Sequence, residues 1–171
     1  MLIMKVFLGT DHAGFELKNI IHDFLVAKGY SVEDCGAYTF DKEDDYPDFI
    51  SKAAIEVSKD PQNSWGIIFG GSGQAEMMVA NKFKGVRCAL FYGKAIPTGA
   101  ADVTGRKSSD PYEIVNLTRE HNDANMLSIG ARFVTAKEAK KIVLMWLETP
   151  FSEAERHVRR IEKIAKIETH V

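Results

Sequence analysis

Residues 65–82 read WGIIFGGSGQAEMMVANK, and this stretch decides the predicted fold. Residues 65–69 are almost wholly apolar, which is typical of a strand buried on both faces of a parallel sheet. A glycine-rich turn, GGSG, follows at residues 70–73, and residues 74–82 have the composition of a helix. The stretch therefore predicts a strand, a tight turn and a helix, which is the repeating unit of an α/β protein.

The same alternation of strands and helices extends to both ends of the chain. Strands are predicted at residues 5–9, 31–34, 86–92 and 126–130, and helices at 15–25, 46–59 and 111–121. Capping-box patterns at residues 135–138 and 152–155 indicate the starts of two more helices. Right-handed crossovers between parallel strands place helices on both faces of the sheet. We therefore expect one domain over residues 1–171, with a doubly wound, parallel, five-stranded sheet and an extended C-terminal helix.

Composition excludes several classes of protein. The 171 residues include 22 Lys and Arg and 24 Asp and Glu, so a net charge of -2 provides no basic field for nucleic acid. The apolar runs are too short to cross a bilayer, and the first residues become polar too early for a signal sequence. We therefore expect a cytoplasmic protein without a membrane or nucleic-acid partner. Cys35 and Cys88 are the only cysteines, and we interpret both as reduced, structural thiols, with a disulfide or a zinc site as the lesser alternatives.

Polar residues are concentrated where ligands bind to open parallel sheets, beyond the carboxyl ends of the strands. Asp11 and His12 follow the first strand, GGSG follows the third, the run REHND at residues 119–123 precedes the fifth, and Arg132 follows it. Each residue alone is more often a turn or capping residue. The acidic run DKEDD at residues 41–45 is interpreted as a solvated loop, with a metal site as the weaker alternative.

The GGSG turn fits no familiar nucleotide or hydrolase motif. It lacks the Lys-Ser or Lys-Thr pair of a P-loop, the second glycine of a nucleophile elbow and the third glycine of a dinucleotide fingerprint. What it offers is a set of backbone N–H groups at a helix N-terminus, which favours an anion. Glu76 lies one helical turn beyond Ser72 and is either a catalytic carboxylate or a favourable first-turn acid.

A second dense signal is the sequence RHVRR at residues 156–160. Arg156 and Arg160 share a helix face at a spacing of four residues, with His157 beside them. Two guanidinium groups on one face suit the oxygens of a phosphate. The alternative is a solvated basic face that forms ion pairs with Glu153, Glu155 or Glu162.

Taken together, these motifs resemble the B-type ribose 5-phosphate isomerases and the related galactose 6-phosphate isomerase subunits. The resemblance covers most of the chain and rests on six segments: GTDHAG with FELK at residues 9–18, DYP at 45–47, GGSG through ANK at 70–82, REHN at 119–122, GAR at 130–132 and RHVRR at 156–160. It implies a Rossmann-like sheet, a homodimer with interfacial active sites, and aldose–ketose isomerisation of a phosphorylated sugar without metal or organic cofactor. A further pairing of dimers is left open.

The resemblance also implies roles for individual residues. Asp11 and His121 would open the sugar ring, and Ser72 with the neighbouring backbone of Gly71 and Gly73 would form the anion hole. One branch of the family has a proton-transferring cysteine at the position of Gly70, whereas the other has a glutamate at the position of Glu76. The residues implied to contact the phosphate are His12, Arg132, Arg156, His157 and Arg160, and those implied to contact the sugar or the loop are Asn81 and Asn122.

Other functions are weighed against an isomerase of ribose 5-phosphate. A non-catalytic sugar-phosphate sensor would lack an acid–base group, and a nucleotide-binding protein is disfavoured by the failed glycine motifs. A hexose 6-phosphate isomerase stays open. Residues 93–110 form a long Gly-, Ser- and Ala-rich connection, interpreted as a flap or interface loop near the sugar, or else as a mobile surface loop.

Overall fold

The computed structural model describes residues 5–169, which form five strands and six α-helices in strict alternation for most of the chain. In chain order these are β1 (Lys5–Thr10), α1 (Phe15–Ala27), β2 (Ser31–Asp34), α2 (Pro47–Lys59), β3 (Ser64–Gly70), α3 (Gln74–Ala80), β4 (Cys88–Phe91), α4 (Glu113–Asn122), β5 (Met126–Gly130), α5 (Ala136–Glu148) and α6 (Glu155–Glu168). A short 3₁₀ turn, His12–Gly14, links β1 to α1.

All five strands are parallel and lie in the order β2-β1-β3-β5-β4. This confirms the predicted α/β fold with a parallel five-stranded sheet. The chain leaves β1 toward β2 on one side, and β3 then pairs with β1 on the other side. The carboxyl ends of β1 and β3 therefore form the topological switch point, where open α/β sheets bind their ligands.

The chain divides into two compact units. The first contains the whole sheet and consists of residues up to 92 together with 124–140. Its core joins Phe7 and Ile68 of the sheet to Ile50 of α2. Phe69, the next residue of β3, faces the opposite side, because a Cβ added at Gly14 would lie 2.5 Å from its Cβ. Helices therefore cover both faces of the sheet, as predicted.

The second unit contains residues 93–123 and the chain from 141 onward, including α4 and α6. Its buried apolar side chains include Val115, Ile142 and Trp146. The Arg119 guanidinium carbon lies 5.9 Å from the Trp146 ring centroid, a distance at which a cation is attracted to the ring face. Treatment of residues 1–171 as one functional domain stays a prediction.

Several boundaries differ from the sequence prediction, most by one or two residues. Helix α3 ends at Ala80 and β4 covers only Cys88–Phe91, so both are shorter than predicted. The capping box at residues 152–155 is wrong: α6 begins at Glu155, its N-cap residue Ala154 has no side-chain cap, and the Ser152 hydroxyl instead lies 2.9 Å from His157 Nδ1. The capping bond from the Glu138 N–H to Thr135 Oγ1 at α5 is present.

Both cysteines are free and buried. Burial raises the pKa of Cys35 to about 12 and raises the pKa of Cys88 further. Both are therefore protonated at neutral pH, which agrees with structural thiols. Within residues 5–169, no helix combines the length and apolar character needed to cross a membrane.

Candidate active site

The GGSG loop is fastened to the end of β5. The Ala131 N–H donates to Gly70 O at 2.8 Å, the Arg132 N–H donates to Gly71 O at 3.1 Å, and the Ser128 hydroxyl donates to Gly73 O at 2.7 Å. Gly73 has φ +76, a conformation that favours glycine. The loop is thus held in one conformation at the carboxyl edge of the sheet.

Backbone N–H groups of this loop are left without partners. Among residues 5–169, the N–H groups of Gly71, Ser72 and Gly73 donate no hydrogen bond, and the Ser72 hydroxyl accepts only from the Gln74 N–H at 3.3 Å. Successive free N–H groups beside a helix N-terminus attract negative charge. The geometry therefore supports the predicted anion hole.

The Glu76 carboxylate lies directly over Gly70. A Cβ added at Gly70 would be 2.0 Å from Glu76 Cδ and 2.0 Å from Oε1, a distance that no side chain allows. Glu76 is 4% exposed, and burial, with a smaller contribution from the Asp11 charge, raises the pKa of its carboxyl above the usual range. A surface first-turn acid would show neither the burial nor this shift, so the geometry favours the catalytic alternative.

Asp11 and His12 lie at the adjacent end of β1. Asp11 is buried, and its side chain caps the 3₁₀ turn by accepting from the Ala13 N–H at 2.9 Å. The Nδ1 atom of His12 lies 2.7 Å from Asp44 Oδ1, and the His12 backbone N–H donates to the same oxygen at 3.0 Å. This hydrogen bond to Asp44 is the main cause of a raised His12 pKa, with the Asp11 charge adding to it.

Asp44 is the residue that the sequence analysis missed. The other members of the acidic run at residues 41–45 are exposed, as predicted, but the side chain of Asp44 is only 9% exposed. No signal within the run separates Asp44 from its neighbours, because its partner His12 lies 32 positions away in the sequence. By holding a proton on His12, Asp44 makes that imidazole a better partner for an anion.

Three of these groups lie close enough together to be considered as cation ligands. Donor atoms of Asp11, His12 and Asp44 lie within 4.8 Å of one another. One Asp44 oxygen is already shared between the ring and the backbone of His12, so this oxygen and the His12 Nδ1 atom are already engaged with each other. A site without metal stays the prediction.

Arg132 lies two residues beyond the carboxyl end of β5 and extends the site on that side. A Cβ added at Gly71 would lie 3.3 Å from Arg132 Cζ, so the guanidinium packs against the GGSG loop. Its charge lowers the His12 pKa, as the smallest of the contributions to that pKa. A cavity of about 560 Å³ borders His12, with Phe15 and Phe40 among its walls. An arginine and a histidine at the switch point agree with a phosphate site.

Asn81 does not join this group. Its side-chain amide donates to Cys88 O at 3.0 Å and its oxygen accepts from the Cys88 N–H at 2.8 Å. Cys88 begins β4, so Asn81 lies at the amino edge of the sheet, opposite the GGSG loop. The structure thus gives Asn81 a backbone-bracing position, and its contact with a sugar stays an unsupported prediction.

In the second unit, His121 and His157 form a pair. Their ring centroids are 4.2 Å apart, His157 is buried, and its Nδ1 faces the Ser152 hydroxyl. Burial lowers the pKa of His157, and the neighbouring charges of His121 and Arg156 lower it further. His157 is therefore neutral near pH 7. Asn122 follows His121, and its amide donates to Leu117 O at 3.4 Å.

The two predicted phosphate-binding arginines of α6 are not occupied by ion pairs. Among residues 5–169, neither Arg156 nor Arg160 forms a salt bridge, and the buried Nε of Arg156 has no hydrogen-bond partner. The alternative of pairs with Glu153, Glu155 or Glu162 is therefore not supported in this part of the chain. Within the part of the chain that the structure describes, no ion pair therefore competes with an anion for either guanidinium group.

Comparison with known proteins gives one consistent result. The family model described as Ribose/Galactose Isomerase matches residues 6–102 and 108–164. Ribose-5-phosphate isomerase B of Mycobacterium leprae is 43% identical over 98% of this chain and 92% of its own, and that of Escherichia coli K12 is 35% identical over 96% of each. The crystal structure of ribose-5-phosphate isomerase B from Mycoplasma genitalium with bound ribulose-5-phosphate has a TM-score of 0.83 at 36% identity, covering 98% of this chain and 97% of that one.

The contact between Gly70 and Glu76 generates a first prediction. In Gly70→Ala the new methyl must displace the Glu76 carboxylate toward water, so the Glu76 pKa should fall toward its usual value. The measurement is a ¹³C NMR titration of the glutamate carboxyls. Gly99→Ala, where an added Cβ has nothing within 4 Å, is the control. A Glu76 pKa that is unchanged by Gly70→Ala would contradict the described packing.

The neutral state of His157 generates a second prediction. Because the folded-state pKa is below that of the unfolded chain, the unfolded state binds the proton first, and stability should be lost as pH falls below about 6.5. His157→Gln should reduce this loss between pH 7.5 and 5, measured by urea denaturation, whereas His22→Gln on α1 should not. Equal pH dependence in wild type and His157→Gln would show that His157 is not held neutral.

Proposed function

The chain belongs to the ribose/galactose isomerase family, and from this premise we propose that it interconverts ribose 5-phosphate and ribulose 5-phosphate through an enediolate. One observation carries the proposal: a buried carboxylate, Glu76, is fixed over Gly70 beside a loop whose N–H groups are free. Isomerisation needs one base and a set of donors for the developing oxyanion, and this arrangement offers both.

The proposed proton transfer follows from the position of Glu76. The carboxylate takes the proton from C2 of the open-chain aldose, the electrons of the broken C–H bond form a C1–C2 double bond, and the carbonyl electrons move to O1 to give the enediolate. The same carboxyl then returns the proton to C1 while the proton of the C2 hydroxyl passes to O1, so that C2 becomes the carbonyl carbon of the ketose. Its raised pKa helps both steps, because a base works best when its pKa approaches the operating pH. Ser72 with the N–H groups of Gly71 and Gly73 is proposed to stabilise the negative oxygen.

The remaining roles are proposed on the family resemblance together with the local geometry. Asp11 and His121 open the sugar ring, and Asn122 contacts the sugar. His12, Arg132, Arg156, His157 and Arg160 bind the phosphate. The raised pKa of His12 and the buried Nε of Arg156, which has no hydrogen-bond partner among residues 5–169, support this assignment, and the charge of the phosphate accounts for it physically.

A second copy of the chain is the proposed partner. Helix α6 exposes Val158, Ile164 and Ile167, and Ile164 and Ile167, three positions apart, lie near one face of the helix. Exposed apolar side chains that adjoin one another are typical of protein interfaces. We propose a homodimer, and a dimer of dimers stays an open prediction.

The role of Glu76 is tested by Glu76→Gln. The change preserves shape but removes the base, so kcat should fall by about 10²–10⁴-fold while KM for ribose 5-phosphate changes little. Glu138→Gln, which removes a first-turn acid from α5, is the matched control and should leave kcat unchanged. Near-normal kcat in Glu76→Gln would make Glu76 a structural acid and refute the mechanism.

The phosphate-binding role of α6 is tested by Arg156→Ala and Arg160→Ala. A hydrogen bond to a charged group contributes about 1.5–3 kcal/mol, so each change should raise KM for ribose 5-phosphate by about 10- to 100-fold. Arg159→Ala on the same helix is the control. A large loss of stability in urea with unchanged KM would instead assign these arginines to folding.

A further inference from the structure

Residues 93–110, which connect β4 to the helical turn before α4, contain neither helix nor strand. The apolar side chains of Ile96 and Val103 are 64% and 74% exposed, so they do not anchor the segment. The family model leaves out residues 103–107 within it. The segment is instead anchored by Arg106, a charged residue within the stretch that the family model leaves out.

All three nitrogens of the Arg106 guanidinium face carboxylates. Its Nε lies 3.1 Å from Asp102 Oδ2, its Nη1 lies 2.7 Å from Glu113 Oε1, and its Nη2 lies 3.2 Å from Glu120 Oε2. The Glu113 side chain is only 5% exposed. One cation thus balances three anions, one of which is buried. An isolated surface ion pair contributes little, but a buried carboxylate that loses a cation at 2.7 Å is costly.

A turn at residues 101–106, closed by hydrogen bonds within the segment, orients Arg106. Asp102 Oδ1 accepts from the Thr104 N–H at 2.8 Å and from the Thr104 hydroxyl at 2.6 Å, and the Ala101 N–H donates to Arg106 O at 2.7 Å. Asp102 therefore fixes the turn with one oxygen and the guanidinium with the other. Arg106 is presented to α4 in a defined position.

On α4, the two partners of Arg106 are at opposite ends. Glu113 is the first residue of the helix, and Glu120 lies seven residues later, two turns away on the same face. Glu120 immediately precedes His121 and Asn122, and its carbonyl accepts from the Ser152 N–H at 3.2 Å. The last turn of α4 is thus held at two points of Glu120: Ser152 binds its backbone carbonyl and Arg106 binds its carboxylate.

We propose that Arg106 is a positioning residue that fixes the last turn of α4 and thereby the side chains of His121 and Asn122. The inference rests on the proposed function for its effect on turnover, but not for its structural part. Without Arg106, three carboxylates would face one another, and the turn that carries His121 would shift to separate them. A displacement of about 1 Å in such a group costs up to about 100-fold in rate.

The test compares Arg106→Ala with Lys107→Ala, which removes a neighbouring exposed cation that forms no ion pair within residues 5–169. Two readouts are taken: kcat and KM for ribose 5-phosphate, and the imidazole resonances of His121 in ¹H–¹⁵N NMR spectra. We expect kcat to fall about 10- to 100-fold in Arg106→Ala alone, with shifted His121 resonances. Lys107→Ala should match wild type in both.

Should Arg106→Ala fail to fold, Glu120→Gln removes one bridge only and should still shift the His121 resonances and lower kcat. Unchanged His121 resonances in the folded variant would overturn the proposal. If the wild-type protein lacks isomerase activity, the proposed function fails, yet the NMR comparison still decides whether Arg106 positions His121. The two failures are therefore distinguishable.

Discussion

The Glu76 carboxylate occupies the space that a side chain at position 70 would need, and the rest of the site depends on this contact. No Cβ fits at Gly70 while the carboxylate lies where it does. The burial that results raises the Glu76 pKa, so the contact that excludes a side chain also tunes the proposed base. The family resemblance implies one branch with a cysteine at position 70 and another with a glutamate at position 76. The contact suggests that the two branches fill the same volume with different proton-transferring groups.

The topology of the sheet explains why this pair lies where a substrate could reach it. Gly70 ends β3 and Asp11 follows β1, and these neighbouring strands form the switch point. The turn between β3 and α3 cannot move freely, because Ser128 and the backbone of Ala131 hold it from β5. Rigid donors around the reacting atoms are the arrangement that lowers a barrier without reorganisation during the reaction.

Periodicity and local motifs predicted much of this structure. The strand at residues 126–130 is confirmed residue for residue, because a short apolar run between polar turns has no competing interpretation. The presence of Glu76 together with a glycine at position 70 could likewise be interpreted from the sequence, because the family resemblance implies a proton-transferring group at one of these two positions. These are features decided by residues near one another in sequence.

What the sequence could not predict depends on contacts between distant segments. Asp44 is paired with His12 across 32 positions, and no local pattern distinguishes it from its exposed neighbours. Ser152 fits a capping box by spacing, but tertiary packing turns its hydroxyl to His157. Asn81 fits a family motif, yet its amide donates to the backbone of Cys88 and accepts from it. In each case a tertiary partner decided between local alternatives of similar energy.

The most direct test of the account is deuterium incorporation at C2 of ribose 5-phosphate in D₂O, measured by NMR for wild type, Glu76→Ala and the double variant Gly70→Cys/Glu76→Ala. The account predicts that incorporation is lost in Glu76→Ala, where the base is gone, and partly regained in the double variant, where the emptied volume accepts a thiol. Incorporation at the wild-type rate in Glu76→Ala, or no gain from the added thiol, would contradict it.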